Sequence, residues 1–330
     1  MIVDAHLDLA YLATTGRDLR LSLQELRERL PSGDVPTVTF SSLRRGEVGL
    51  CFATLFAEPG SEEAPSGYAD QRDARRRLDA QLETYLRWQD DGHVLLLRTW
   101  GEIEAHVRAW TPEKSPLGVV LLIENAEPLR DADDLPRLVD AGVRLVGPAW
   151  VKANRFCGGN GEPGGLTDRG RDLLAAMREL GVTLDVSHLP EEAFWEAVEL
   201  QPKAVATHSN VRSLVGSERH LTAEQLRAIR DRDGHVGCVL FNKFLRRGWD
   251  RGMDRPVLKV VGDMFAALAE EVGWERVGIG SDLDGGFGRF ELPSGLESAA
   301  DLPRLADVLP EEQREGVLSG HWLRWLERHL

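Results

Sequence analysis

Short, unbroken apolar runs alternate along this chain with longer segments whose apolar residues recur at helical spacing. The runs are Ile2–Ala5, Val48–Phe56, Val119–Glu124, Val143–Val146, Val182–Val186, Ala204–Thr207, Val236–Phe241 and Val277–Gly280. Between them, Arg72–Gln89, Leu135–Ala141, Asp168–Leu180, Glu191–Leu200, Ala223–Arg230 and Leu258–Glu271 carry the helical pattern. Strands that are apolar on both faces need cover on both, as in a parallel sheet flanked by helices. Eight such units predict an α/β fold of the (β/α)8 TIM-barrel type rather than an open doubly wound sheet. His93–Leu97 (HVLLL) is a further candidate strand. Pro59–Ser66 and the glycine-rich Gly158–Gly165 read as loops, the second following a strand, where barrel enzymes place substrate-contacting loops. Neither is long enough to link domains, so residues 1–330 are expected to form one barrel domain.

Composition narrows the function. A net charge of −14 argues against a nucleic-acid partner, which would require clustered Lys and Arg. Cys51, Cys157 and Cys238 are widely spaced and form no CxxC pair, so no disulfide framework or cysteine metal site is expected. The opening MIVDAHLDLA is not a signal peptide, and no apolar run approaches the ~20 residues of a membrane span. The expectation is a cytoplasmic protein with no membrane partner. The final Trp322–Leu330 (WLRWLERHL) predicts an amphipathic helix packed on the barrel.

The chemistry-bearing residues fall at the strand ends. His6 and Asp8 stand just past the first strand, Glu124 closes the third, and His188 and His208 follow the fifth and sixth. Asp282 follows the eighth, in GSDLDGG. Parallel barrel strands aim their C-terminal ends at one face, so these residues should converge. Imidazole nitrogens and carboxylate oxygens are zinc ligands, and a carboxylate can bridge two ions. Each residue alone has a plainer reading: Glu124 as the partner of an arginine, with Glu127 a rival, or Asp282 as a turn residue, with Asp284 equally placed for that. Their coincidence at five strand ends favours a metal centre.

Together these motifs resemble the membrane dipeptidase (renal dipeptidase) family of the amidohydrolase superfamily over nearly the whole chain. DAHLDL is similar to its opening HxD motif, IENAE to the segment of its bridging glutamate, and AAMRELGVTLDVSH to its long signature ending in a metal histidine. ATHSN with the downstream Arg219, VGIGSDLDG, and the LPSGLE of Leu292–Glu297 follow in the family's order. The resemblance implies two Zn2+ per chain, one held by His6, Asp8 and Glu124 and the other by Glu124, His188 and His208. It implies that Glu124 bridges, that Asp282 sits beside the first zinc and handles the proton of the activated water, and that Arg219 binds the substrate carboxylate. It also implies a homodimer.

One position departs from the pattern. Family members often carry a substrate-binding histidine after the fourth strand, and Trp150 stands there. An indole N–H donates a hydrogen bond but takes up no proton, which weakens oxyanion help from this position and points to a different substrate preference. Trp150 is expected to wall the pocket, with packing under the Gly158–Gly165 loop as its ordinary alternative. The preferred function is a zinc dipeptidase that tolerates a D-residue at the C-terminal position. Competing readings are hydrolysis of an N-acyl amino acid, lactam or lactone, and a barrel that has lost activity and serves as a binding protein.

Overall fold

A computed structural model describes residues 1–30, 35–62 and 64–330 of the chain. All eight expected runs form strands, and HVLLL supplies a ninth. In chain order they are β1 (Ile2–Leu7), β2 (Val48–Phe56), β3 (Val94–Leu96), β4 (Leu117–Glu124), β5 (Val143–Gly147), β6 (Thr183–Asp185), β7 (Ala204–Val205), β8 (Val236–Cys238) and β9 (Val277–Ile279). Every ladder is parallel, in the order β7-β6-β5-β4-β2-β1-β9-β8. A parallel bridge between Ala206 and Val236 joins the two ends, giving a nearly closed eight-stranded barrel.

The ninth strand lies outside this ring. Leu117–Val119 at the start of β4 pair with β3, whereas Leu121–Glu124 at its end pair with β5. Thus β3 fills the part of that edge which β5 starts too late to cover. The six expected helices are all present, with no end moved by more than one residue, among them Gln71–Asp90 and Lys259–Val272. The helix Trp100–Ala109 was not foreseen. It buries only Ile103 and His106, too narrow a face to set up a periodic apolar signal, and its start is fixed by a Thr99–Glu102 capping box. The loop expected over Pro59–Ser66 includes Glu63, which lies outside the described residues.

The core divides by strand face. Residues facing the helices form the larger cluster, while Val3, Ala5, Leu50, Phe52, Val120, Leu122, Leu145 and Val205 form a second one, together with Trp322, Trp325 and Leu326. The C-terminal helix His321–His329 therefore plugs one end of the barrel, as its i, i+3, i+4 pattern of large apolar residues requires. Trp322 lies 5.2 Å from Phe52 and donates its indole N–H to the Ile279 carbonyl at 3.1 Å. A side chain on Gly278 would begin 2.3 Å from that indole nitrogen, so glycine is needed there. With this end filled, the C-terminal ends of the strands form the other, open face. Among the described residues no helix is long and apolar enough to cross a membrane, and all three cysteines are buried and free.

Candidate metal centre

The chain turns sharply as it leaves the strands, and those turns aim the polar side chains over the barrel. His188 (φ 67°), Asp282 (φ 59°) and Asn125 (φ 67°), beside Glu124, all have left-handed backbone. For non-glycine residues this costs on the order of 1–3 kcal/mol each, so surrounding bonds must hold it. The backbone N–H of Asp282 donates to the His6 carbonyl at 3.3 Å, and Gly285 donates back to the Asp282 carbonyl at 2.9 Å. A Cβ on Gly285 would lie 1.9 Å from Asp282 Oδ1, so the glycine leaves room for this carboxylate. Asn125 is tied by its side chain to the Ala57 carbonyl and to Asn154.

All six predicted ligands come together. Glu124 straddles the cluster: Oε2 is 3.3 Å from His6 Nε2, while Oε1 is 3.2 Å from His188 Nε2 and 3.5 Å from His208 Nε2. His6 Nε2 is also 3.8 Å from Asp8 Oδ1. Donor atoms of His6, Asp8 and Asp282 form one group within 4.8 Å of one another, and those of Glu124, His188 and His208 form a second. Ligands ~2.0–2.2 Å from a tetrahedral ion stand about 3.3–3.6 Å apart, close to the spacings here. His6 Nε2 is buried without a hydrogen-bond partner among the described residues. His188 Nε2 and His208 Nε2 approach to 3.0 Å, although the Nδ1 atoms already face Asn160 Oδ1 (2.7 Å) and Thr207 Oγ1 (2.9 Å). Two lone pairs turned on each other repel, and a cation between them removes the conflict. The donor set fits a pair of divalent ions.

The protein's own charges argue the same way. Burial alone would raise the Glu124 pKa, but the His6 charge and the surrounding imidazoles hold it well below the carboxylate range. Asp8 is pushed up to about 6 by burial and by Glu124, and Thr54 donates its hydroxyl to it. Burial opposes charge on His6, yet Glu124, Asp8 and Asp282 together raise it to about 10. His188 is lowered to about 4 by burial and the Arg219 charge, and His208 is driven well down by burial, His6 and Arg219. Both stay neutral at pH 7, as ligands must. Three facing carboxylates thus favour positive charge, which a metal ion would supply in place of the proton on His6. Asp282 is raised well above the usual range, by burial first and then by Asp8 and Glu124.

The cluster floors a cavity of about 250 Å³. Trp150 lines it, 5.0 Å from Phe56 and 6.2 Å from His188 between ring centres. Arg219 is buried on the far wall, not paired at the surface. Its guanidinium donates to Ser209 Oγ at 3.1 Å and to the His208 carbonyl at 2.6 Å, its Nε has no hydrogen-bond partner among the described residues, and it lies 5.8 Å from the Phe244 ring centre. The rival carboxylates do other work. Glu127 pairs with Arg155 at 2.8 Å, and Asp284 accepts from Thr37, Val38 and Arg17.

Four further residues were not foreseen. Glu58 lines the cavity just past β2 and accepts the Tyr11 hydroxyl at 2.6 Å. Asn160, from the glycine-rich loop, holds His188, and Asp185 and Thr207 lie beneath the histidines. A signal existed only for Asp185, a carboxylate inside the apolar run Val182–Val186, where burial demands partners.

The sequence family described as membrane dipeptidase (peptidase family M19) matches residues 1–327. An uncharacterized Klebsiella pneumoniae protein from the pqqA 5′ region is 39% identical over 226 residues, covering 65% of this chain and 82% of that protein. A Rhodobacter sphaeroides metallopeptidase, solved with a phosphinate mimic of L-Ala-D-Ala, superposes with a TM-score of 0.82 at 25% identity, over 100% of this chain and 99% of that one. Dipeptidase AC, a metallopeptidase of family M19, gives the same TM-score and identity over 99% and 98%.

Proposed function

This chain belongs to the membrane dipeptidase family, peptidase family M19, and is a metallodipeptidase; on that premise we propose that it uses two zinc ions to cleave small zwitterionic dipeptides, including those with a C-terminal D-residue. His6, Asp8 and Glu124 would hold one ion, with Asp282 beside it, and Glu124, His188 and His208 the other. Nitrogen and oxygen donors of this kind suit zinc. When bound, the ions would acidify a water and polarise the scissile carbonyl. The remaining work falls to the chain. Asp282, whose carboxyl burial holds well above its usual range, takes a proton from the attacking water and returns it to the leaving amine. One catalytic domain spanning residues 1–330 suffices for this.

The observation that carries the substrate reading is an opposition of charge across the pocket. Glu58 follows β2 and Arg219 follows β7, which are four strands apart whichever way the ring is followed. Both line the cavity that the ligand cluster floors. A dipeptide laid across it would place its ammonium at Glu58 and its carboxylate at Arg219, with the peptide bond over the ligands. Arg219's planar fork suits a carboxylate. The volume lies below the ~300–1,000 Å³ of pockets for drug-sized ligands, and the aromatic wall of Phe56 and Trp150 limits it further. The L-Ala-D-Ala mimic bound by the Rhodobacter sphaeroides relative supports tolerance of a D-residue.

An N-acyl amino acid would leave Glu58 without a counter-charge, which separates the two enzyme readings. Wild-type protein is expected to prefer a free dipeptide over its N-acetyl derivative. Glu58→Gln should lower kcat/KM for the dipeptide about 10- to 100-fold, the scale of a lost charge-assisted hydrogen bond, and leave the acetylated substrate unchanged. An unchanged preference in the variant would remove Glu58 from recognition. A wild-type enzyme that cleaves only the acetylated compound would replace the dipeptidase reading altogether.

A further inference from the structure

Beneath the ligands, on the side away from the cavity, lies a layer of polar groups that reach no substrate. Asp185 ends β6 and is almost completely buried. Its Oδ1 accepts the backbone N–H groups of Ser187 and Thr207, each at 3.0 Å, and its Oδ2 accepts the Thr207 hydroxyl. A hydroxyl has one proton, and that of Thr207 is committed to Asp185. Its two other contacts, His208 Nδ1 at 2.9 Å and His6 Nδ1 at 3.2 Å, must therefore donate to it. Both rings then carry hydrogen on Nδ1 and present the Nε2 lone pair to the cluster. The rings stack with centres 3.5 Å apart, as their shared anchor requires.

From this geometry we infer that Thr207, ordered by Asp185, is a positioning residue shared by both metal positions: one hydroxyl sets the tautomer and orientation of His6 and His208, ligands of different ions. The inference rests on the two-ion reading given above. The donor atoms of His6, Asp185 and His208 also lie within 4.8 Å of one another, but that grouping is not a third metal site. Asp185 already accepts three donors, and the Thr207 oxygen occupies the position between it and both rings. His188 is held separately, by Asn160, so the two ions should respond differently to the two outer residues.

The test is metal affinity by chelator competition, read for each ion, on wild type and on the variants Thr207→Val, Thr207→Ser and Asn160→Ala. Outer hydrogen bonds to metal-bound histidines are typically worth 10- to 100-fold in affinity. T207V is expected to weaken both ions by about that factor, T207S to restore both, and N160A to weaken one. T207V that keeps either ion at wild-type affinity overturns the shared role, as does T207S that fails to rescue. Histidine 15N NMR of the zinc-loaded wild type supplies a readout that needs no variant to fold. It should show His6 and His208 protonated at Nδ1, and protonation at Nε2 of either overturns the inference. Wild-type protein that takes up no metal refutes the two-ion reading itself, and this inference with it.

Discussion

Glu124→Gln should strip the enzyme of metal and activity together. The two carboxylate oxygens face different imidazoles, Oε2 towards His6 and Oε1 towards His188 and His208. An amide keeps the shape but loses the charge, and it turns an N–H2 group towards one of the two positions. Removing one partner from a buried charged cluster costs about 3–5 kcal/mol, or roughly 10²- to 10⁴-fold in metal affinity. The protein itself should stay folded, because the change removes one of three facing carboxylates, whose repulsion adds to burial in lifting Asp8 to about 6. Metal content, kcat/KM and circular dichroism of the variant test this together. Folded E124Q that retains two ions and activity would show that Glu124 does not bridge.

Asp282→Asn should separate proton transfer from metal binding. Asparagine tolerates the left-handed backbone of this position, keeps the N–H to the His6 carbonyl, and fits the space that Gly285 leaves. It cannot carry a proton between water and leaving group. A positioned acid–base group contributes about 10²- to 10⁴-fold, so kcat should fall by that factor, with kcat/KM falling in parallel. Metal content should stay close to that of wild type, since His6, Asp8 and Glu124 remain on that ion. Steady-state kinetics and metal analysis of D282N decide the matter: full kcat would move the proton role elsewhere, and metal loss as complete as in E124Q would make Asp282 chiefly a ligand.

The barrel was legible because each strand is apolar on both faces, so its run stands out between amphipathic helices. Its ends were less so. β6 and β7 keep only three and two residues in ladder conformation, because the chain turns at Ser187–His188 and bends at Thr207–His208, where the Ser187 and Thr207 N–H groups donate to Asp185. The six residues of the candidate metal centre were legible because residues of that chemistry stand at strand ends, where parallel topology gathers them. Residues defined by contacts remote in sequence were not. Thr207 acts through His6, 201 positions away, and Glu58 through Tyr11 and an opposing arginine, neither of which leaves a local pattern. The Gly158–Gly165 loop was readable as a loop, yet nothing in it marked Asn160 as the partner of His188.

The proposed centre holds two zinc ions and performs dipeptide hydrolysis. It is tested most directly by counting metal ions per chain in purified protein while following hydrolysis of an L-Ala-D-Ala-type dipeptide through chelation and zinc restoration. Two zinc ions per chain are predicted, with activity lost on chelation and regained in step with their return. Activity that survives chelation, or two ions without dipeptide cleavage, would contradict it.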